Sequence, residues 1–242
     1  MRRSRIYTAQ TLKLGQTIGL DRRASHYLAR VLRLKPGNAL VLFNGDGSDY
    51  VSEVCEIQRD RIAVKITGRQ EPGTESVLRI TLVQAISRGE RMDYSLQKAT
   101  ELGVSDIQPV TSQRVEVRLD QQKQTKRLAH WPGVVVSACE QSGRARVPEV
   151  RPVLPIEHWL QTRDENQSLL LDPMSRVKLS GVKLAGSSID ILVGPEGGFT
   201  DQEMEQLRDG RVMPVSLGPR ILRTETAGPA AIAVIQAIAG DI

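Results

Sequence analysis

LGPRILRTETA, residues 217–227, is the stretch that decides the fold, together with VGPEGGFT at residues 193–200. In both stretches an apolar run leads into a Gly-Pro turn, and the turn leads into the start of a helix. α/β proteins build ligand-binding loops in this way, at the carboxyl ends of their strands. The two stretches therefore predict a parallel sheet whose loops form a ligand site.

The segments around these loops alternate between strand and helix from residue 78 onward. Apolar runs predict strands at residues 79–86, 106–111, 169–172, 189–193 and 212–217. Amphipathic or apolar periodic segments predict helices at residues 90–102, 121–141, 200–209 and 224–239. Thr200 begins a capping box, and Pro132 is expected to kink or break the second helix. This alternation predicts an α/β domain with helices on both faces of a parallel sheet.

The first third of the chain has a different pattern, with short strands and a single helix. Strand-like runs occupy residues 5–8, 16–20, 39–43, 50–57 and 61–67. Asp21 caps a helix that runs to about Leu34, and the turn at residues 44–47 predicts a hairpin. We therefore predict a small β-barrel. The breaker-rich stretch 69–76 predicts a linker, which divides the chain into domains 1–72 and 73–242.

The composition is that of an ordinary soluble protein, with 40% hydrophobic and 25% charged residues. The longest apolar run, at residues 230–239, is interrupted by Gln236 and is too short to cross a bilayer. The N-terminus lacks the apolar core of a secretion signal. Cys55 and Cys139 are two isolated cysteines and the three histidines are scattered, so we expect no zinc site and a cytoplasmic location.

The positive charge is concentrated in the first third. Residues 1–72 contain 13 Lys and Arg against 7 Asp and Glu, whereas the remainder contains 20 against 21. A cationic module beside a nearly neutral one indicates nucleic-acid docking next to a small-molecule site, although a merely solvated basic face gives the same pattern. Aromatic residues make up only 3% of the chain, which argues against a surface that stacks many bases.

The glycine-rich loop at residues 194–198 has the composition of a phosphate cradle, but its context argues against one. It matches neither the Walker A pattern nor the dinucleotide fingerprint. Asp201, Glu203 and Glu205 begin the next helix, and these carboxylates would repel a phosphate. A neutral or cationic ligand held by backbone groups fits better, with a simple tight turn as the alternative.

Arg223 and Glu225 are the candidate catalytic groups, because they lie near the start of the last helix. A carboxylate there could orient a substrate or accept a proton, and a guanidinium could stabilise developing negative charge. A surface ion pair with an N-cap at Thr224 is the competing interpretation.

Five strings together resemble the 16S ribosomal RNA uracil-N3 methyltransferases of the SPOUT class. They are HYLARVLRLKPG (26–37), QKATELGV (97–104), ACEQSGR (138–144), VGPEGGFT (193–200) and SLGPRILRTETA (216–227). The resemblance implies a PUA-like RNA-binding barrel followed by an α/β SPOUT domain with a deep trefoil knot. It also implies a homodimer that binds S-adenosylmethionine and methylates N3 of a uridine in 16S rRNA, within the 30S subunit.

Carried onto this chain, the resemblance implies three groups of residues. The cofactor would lie against Leu171, Asp172, Pro173, Gly194, Pro195, Glu196, Gly197, Gly198, Leu217, Gly218, Ile221 and Leu222. Arg223 and Glu225 would act on the uracil, with no metal. RNA would contact Arg5, Arg22, Arg23, His26, Arg30, Arg33, Arg88 and Arg144.

Two other functions stay open at this point. One is a SPOUT enzyme that acts on another RNA atom, such as a ribose hydroxyl of tRNA. The other is a non-catalytic RNA-binding assembly factor, which would not bind S-adenosylmethionine.

Overall fold

Two sheets, each with its own core, organise the protein, for which we obtained a computed structural model. It describes residues 4–58, 61–114 and 121–242, with the side chains of 121–127 left out of the description. Contacts between residues divide the chain into two units. The first contains Met1–Glu75 and Cys139–Val147, and the second contains Ser76–Ala138 and Pro148–Ile242.

The first unit is built on a five-stranded sheet. Its strands are β1 (Arg5–Tyr7), β2 (Thr17–Gly19), β3 (Ala39–Phe43), β4 (Asp49–Gln58) and β5 (Arg61–Gln70), in the order β1-β3-β4-β5-β2. Helix α1 (Arg22–His26) continues into a π-helical turn, Tyr27–Val31. Asp21 caps α1 as predicted, since its side chain accepts a hydrogen bond from the Ala24 amide. The predicted hairpin joins β3 to β4.

Every strand of this sheet contributes to one apolar core. The core includes Ile6, Ile18, Leu42, Val54 and Val64, one from each strand. Leu28 of the π-helical turn packs into the same core and is fully buried. Side chains from all strands facing one interior are the arrangement of a small barrel, so the predicted β-rich module is confirmed.

Residues 139–147 group with the first unit, so this unit consists of two separate segments of the chain. The predicted division at residue 72 gives each domain one continuous segment. Polar contacts explain this grouping. The Arg144 guanidinium donates to the Glu75 carboxylate at 2.7 Å, and the Arg144 carbonyl accepts from Arg5 at 3.0 Å. Within the predicted linker at residues 69–76, β5 extends to Gln70 and Glu75 belongs to the first unit.

The second unit is built on a parallel sheet, as predicted. Its strands are β6 (Arg79–Ala85), β7 (Asp106–Thr111), β8 (Glu149–Val150), β9 (Leu154–Pro155), β10 (Gln167–Leu171), β11 (Ser188–Val193) and β12 (Met213–Val215). The order is β12-β10-β11-β6-β7-β8, with β9 also paired to β7, and each pairing is parallel. The α/β class is therefore confirmed, and the trefoil knot stays a prediction, since strand order does not determine threading.

The helices of this unit are α2 (Glu90–Glu101), α3 (Gln121–Ser142), α4 (Ile156–Thr162), α5 (Asp201–Asp209) and α6 (Thr224–Ala239), although the residues of α3 from Cys139 onward group with the first unit. Pro132 was expected to kink or break α3, and the helix continues through it without a break. Trp131, Val135 and Ala138 are buried on both sides of the proline, so packing holds the helix continuous. Helix α4 was not predicted, because seven residues with two buried side chains give too little periodicity.

A buried carboxylate lies in the middle of the parallel sheet. Asp190 of β11 is 3% exposed and accepts hydrogen bonds from Asn166 at 3.2 Å and from Ser168 at 3.0 Å. Burial raises the pKa of the Asp190 carboxyl, although those hydrogen bonds and the charge of Arg163 act in the opposite direction. Desolvation disfavours the charged carboxylate, and its effect on the pKa is larger than that of the hydrogen bonds and of Arg163.

The pKa of Asp190 predicts a pH dependence of stability. The folded state binds this proton more tightly than the unfolded state, so its contribution is fully present below the ordinary carboxyl pKa of about 3.9. The contribution is lost as pH rises through the raised value. Asp190→Asn cannot titrate, so its free energy of unfolding should improve relative to the wild type as pH rises.

Urea unfolding followed by tryptophan fluorescence measures this difference, since Trp131 and Trp159 both belong to the second unit. Asp241→Asn, at an exposed position, is the control and should show no such trend. A difference between Asp190→Asn and wild type that does not change from pH 3 to pH 7 would contradict the assignment.

Candidate functional site

A cavity of about 570 Å³ lies at the carboxyl ends of β10, β11 and β12. Its walls are the three loops that follow these strands, together with the start of α6 and one side chain each of α2 and α5. The volume is within the range of pockets that bind small molecules or cofactors. Neighbouring parallel strands end at the same edge of a sheet, so the fold brings together loops that are far apart in sequence.

The loop between β11 and α5 depends on glycine. A Cβ atom at Gly194 would lie 3.1 Å from the ring of Phe199, which packs into the core beneath the cavity. Gly198 has a φ of +69° and its amide donates to the Pro195 carbonyl at 2.9 Å, which closes a tight turn. Such a φ is readily adopted only by glycine.

Glu203 anchors this loop at its far end. Its carboxylate is 1% exposed and accepts hydrogen bonds from the Thr200 amide at 2.7 Å and from the Gln113 amide at 2.8 Å. The Thr200 hydroxyl in turn accepts from the Glu203 amide, so the predicted capping box is confirmed. The carboxylate therefore accepts backbone hydrogen bonds that hold the loop, and Glu203 is not part of the cavity lining.

The loops after β10 and β12 hold each other in place. The Asp172 amide donates to the Val215 carbonyl at 2.8 Å, and the Ser216 amide donates to the Val177 carbonyl at 2.8 Å. The Asp172 side chain accepts from the Met174 amide at 2.9 Å, which turns the chain sharply after the strand. Gly218, with a φ of +119°, then directs the third loop along the cavity.

Four of the charged side chains that line the cavity form a linked group. Arg91 of α2 donates to Glu196 at 3.0 Å and lies 3.9 Å from the Glu225 carboxylate. Arg223 lies 3.9 Å from the same Glu225 oxygen, and its side chain is 79% exposed. Glu225 is more enclosed, with 14% exposure. The predicted pair is therefore brought together, with a third member that the sequence did not reveal.

The competing interpretation placed the N-cap of the last helix at Thr224, and the structure does not show this cap. Arg223, not Thr224, occupies the N-cap position and makes no side-chain cap. The Thr224 hydroxyl lies 3.2 Å from the Ser87 hydroxyl and 3.3 Å from the Glu225 carboxylate, to which it donates. Thr224 thus fixes Glu225 at the cavity and does not cap the helix.

Eleven of the twelve predicted cofactor residues line the cavity, as do Arg223 and Glu225. Gly197 does not, because it lies against Arg114, whose guanidinium donates to the Gly197 carbonyl at 3.3 Å. Residues that sequence reasoning missed include Arg91, Phe199, Met204 and Arg220. Phe199 and Arg220 lie within the two quoted loops, whereas Arg91 carried no signal because only the folded chain brings α2 to this edge.

Six of the eight basic residues predicted to contact RNA are exposed. Arg22, Arg23, His26, Arg30 and Arg33 are exposed on α1 and the residues that follow it. Arg23 also donates to Glu140 at 3.0 Å while its side chain stays 59% exposed. Arg88 is exposed just before α2, in the second unit.

Arg5 and Arg144 are corrections to that prediction. The Arg5 side chain is 9% exposed, pairs with the buried Asp49 carboxylate and lies over the Phe43 ring. The Arg144 side chain is 6% exposed and pairs with Glu75. Both guanidinium groups are held inside the first unit, so neither is available to bind a phosphate.

The part of the chain that the structure describes contains no cluster of three metal-ligating side chains. Within the same residues, no helix is both long and apolar enough to span a membrane. Burial raises the pKa of the Cys139 thiol to about 12, so this cysteine is protonated at neutral pH.

Two family models match the chain. A model described as an RNA methyltransferase domain covers residues 74–236, and one described as an RNA methyltransferase PUA domain covers residues 20–67. Ribosomal RNA small subunit methyltransferase E of Buchnera aphidicola (strain Sg) is 36% identical over 98% of this chain and 97% of its own. The protein of the same name from Rickettsia conorii is 32% identical over 98% and 96%.

Two solved structures resemble the whole chain. Ribosomal RNA small subunit methyltransferase E from Neisseria gonorrhoeae, bound to S-adenosyl methionine, is 40% identical with a TM-score of 0.93. A Legionella pneumophila protein in complex with the bound cofactor SAM is 36% identical with a TM-score of 0.96. Each likeness covers 100% of both chains.

Glu203 provides a test of the loop anchor. Glu203→Ala leaves the amides of Thr200 and Gln113 without their acceptor, and we expect the free energy of unfolding to fall by about 1–3 kcal/mol. Glu205→Ala, at an exposed position on the same helix, should change it by less than about 0.5 kcal/mol. Urea unfolding measures both, and equal small effects would show that the buried carboxylate does not hold this loop.

Proposed function

This chain belongs to the RNA methyltransferase family that includes ribosomal RNA small subunit methyltransferase E, and from that membership we propose its reaction. The chain transfers the methyl group of S-adenosylmethionine to N3 of a uridine in 16S rRNA. The single observation that carries the proposal is the cavity at the carboxyl ends of β10, β11 and β12, whose lining includes eleven residues expected from the family signature.

The residues of the cavity fit a cationic, partly apolar cofactor. Leu171, Leu217, Ile221 and Leu222 supply apolar surface. The carboxylates of Asp172, Glu196 and Glu225 can face a positively charged group, and the three arginines of the lining balance their charge. Two relatives that match the full chain were solved with S-adenosylmethionine bound. When bound, S-adenosylmethionine supplies a methyl group on a positively charged sulfur, which keeps the electron pair of the broken C–S bond.

Arg223 and Glu225 act on the uracil in this proposal. Uracil N3 must lose its proton before or during formation of the new N–C bond, and the Glu225 carboxylate accepts that proton or orients the base. Arg223, which is far more exposed, stabilises the negative charge that develops on the uracil carbonyl oxygens. Arg91 lies 3.9 Å from the same Glu225 oxygen and helps to position the carboxylate.

The first unit docks the RNA through the exposed basic residues of α1 and those that follow it. N3 lies on the Watson–Crick edge of uridine, so the target base is unpaired or flipped when it is methylated. The finer parts of the proposal are that the substrate is the 30S subunit, that the active form is a homodimer and that the protein acts in the cytoplasm.

The reaction is tested with purified protein, labelled S-adenosylmethionine, and either naked 16S rRNA or 30S particles. We expect label in 16S rRNA, and mass mapping of the nucleosides should place the methyl group on uracil N3. Label on a ribose hydroxyl or in tRNA would replace this proposal with another methyl acceptor. Calorimetry that detects no binding of S-adenosylmethionine would overturn it.

The catalytic pair is tested by single-turnover kinetics at saturating substrates. Glu225→Gln and Arg223→Ala should each slow methyl transfer by about 10²-fold or more, because each removes a group that acts on developing charge. Glu205→Ala and Arg208→Ala, exposed on α5, are the matched controls and should keep the wild-type rate. Wild-type rates for both Glu225→Gln and Arg223→Ala would remove these residues from the mechanism.

A further inference from the structure

An exposed tyrosine lies within the basic surface of the first unit. We define the Tyr27 surface as the exposed side chains of Arg22, Arg23, His26, Tyr27, Arg30, Val31 and Arg33. Tyr27 is 44% exposed and Val31 is 61% exposed, although both are largely apolar. The neighbouring Leu28 is fully buried, so the orientation of the helix is set by the core and Tyr27 is directed outward.

Tyr27 differs from the other three tyrosines in having no described partner. The Tyr7 ring packs against Phe43 at 5.6 Å, and the Tyr50 hydroxyl donates to Asp46 at 2.6 Å. Tyr94 has the Lys98 ammonium 5.9 Å from its ring centroid. Within residues 4–58, 61–114 and 121–242, no side-chain hydrogen bond or ring contact involves Tyr27. Its side chain is therefore partly exposed and is not held by a described polar or aromatic partner.

The backbone that carries this surface is unusual. Residues Tyr27–Val31 form a π-helical turn, in which the Leu32 amide donates to the Tyr27 carbonyl at 3.0 Å. Arg33 follows with a φ of +52°, one of two non-glycine residues with positive φ among those described. π-helical turns are often found at functional sites, and left-handed backbone at a non-glycine residue is energetically unfavourable. Two uncommon features within seven residues indicate a surface shaped for binding.

We propose that Tyr27 stacks on an unpaired base of the RNA substrate, while Arg22, Arg30 and Arg33 bind the flanking phosphates. This inference rests on the proposed RNA substrate and adds how the RNA is held. Aromatic rings stack on any base, and guanidinium groups attract the backbone, so one tyrosine among arginines suits a single-stranded segment. The low aromatic content limits this mode to one base and leaves the remaining affinity to charge.

The contributions of stacking and of charge to RNA affinity can be distinguished by how the affinity depends on salt concentration. Each phosphate neutralised by the protein adds about 0.7 to the slope of log affinity against log salt for a single strand, whereas stacking adds nothing to it. A decameric uridine RNA and a blunt duplex of the same length are the probes, and fluorescence anisotropy measures their affinities between 50 and 300 mM salt.

Tyr27→Ala should lower affinity for the uridine decamer about tenfold with no change in salt slope, and it should leave duplex affinity unchanged. Tyr27→Phe should keep wild-type affinity, whereas Tyr27→Leu, which is apolar but not aromatic, should behave as Tyr27→Ala. Arg30→Ala should lower the slope by about 0.7. Tyr94→Ala, which removes a tyrosine of similar exposure from the second unit, is the matched control and should match the wild type.

The outcomes distinguish this inference from the proposed reaction. Wild-type affinity of Tyr27→Ala for the decamer, or wild-type affinity of Tyr27→Leu, overturns stacking even if the protein methylates 16S rRNA. Equal losses for the decamer and the duplex also overturn it. Conversely, stacking is supported by the expected set of affinities even if the mapped methyl group lies on another atom. Unchanged urea midpoints verify that the variants fold.

Discussion

Parallel pairing of β10 with β11 on one side and with β12 on the other is the constraint on which the site depends. These pairings bring three chain segments to one edge of the sheet, where backbone hydrogen bonds lock the first and third loops together. The middle loop is held separately, by the buried Glu203 carboxylate and by the Phe199 ring against Gly194. The shape of the cavity is therefore set by backbone hydrogen bonds and by buried side chains. Arg223 and Glu225, which also line it, are not needed to hold the loops in place.

Burial decides the role of each basic residue. Arg5 and Arg144 lie inside the first unit with carboxylate partners, because an unpaired charge there would carry a large desolvation cost. The arginines of α1 and the residues after it stay in water, where a charge costs little and attracts phosphate over a distance. The same contrast separates Glu203, a buried structural acceptor, from Glu225, which lines the cavity between two guanidinium groups.

Much of the fold could be predicted from the residues because local signals were strong. Helix α6 has the bounds expected from its apolar run, and β3 has the bounds expected from its position between Pro36-Gly37 and the hairpin turn. Other features depend on long-range contacts. Helix α3 continues through Pro132, where the nearby Trp131, Val135 and Ala138 are buried. Gly197 lies against Arg114. Residues 139–147 join the first unit through the ion pairs Arg144–Glu75 and Arg23–Glu140.

The sequence by itself determined the two loop signatures, the alternation of strand and helix, the concentration of positive charge in the first third and the pairing of Arg223 with Glu225. These are local or compositional features, which depend on residue type and spacing. Only the tertiary structure decided which side chains meet across segments: Arg91 with Glu196 and Glu225, Thr224 with Ser87, Arg5 with Asp49. It also decided that Leu28 is buried while Tyr27 is exposed, because the packing of the whole unit sets which face of a helix meets the core.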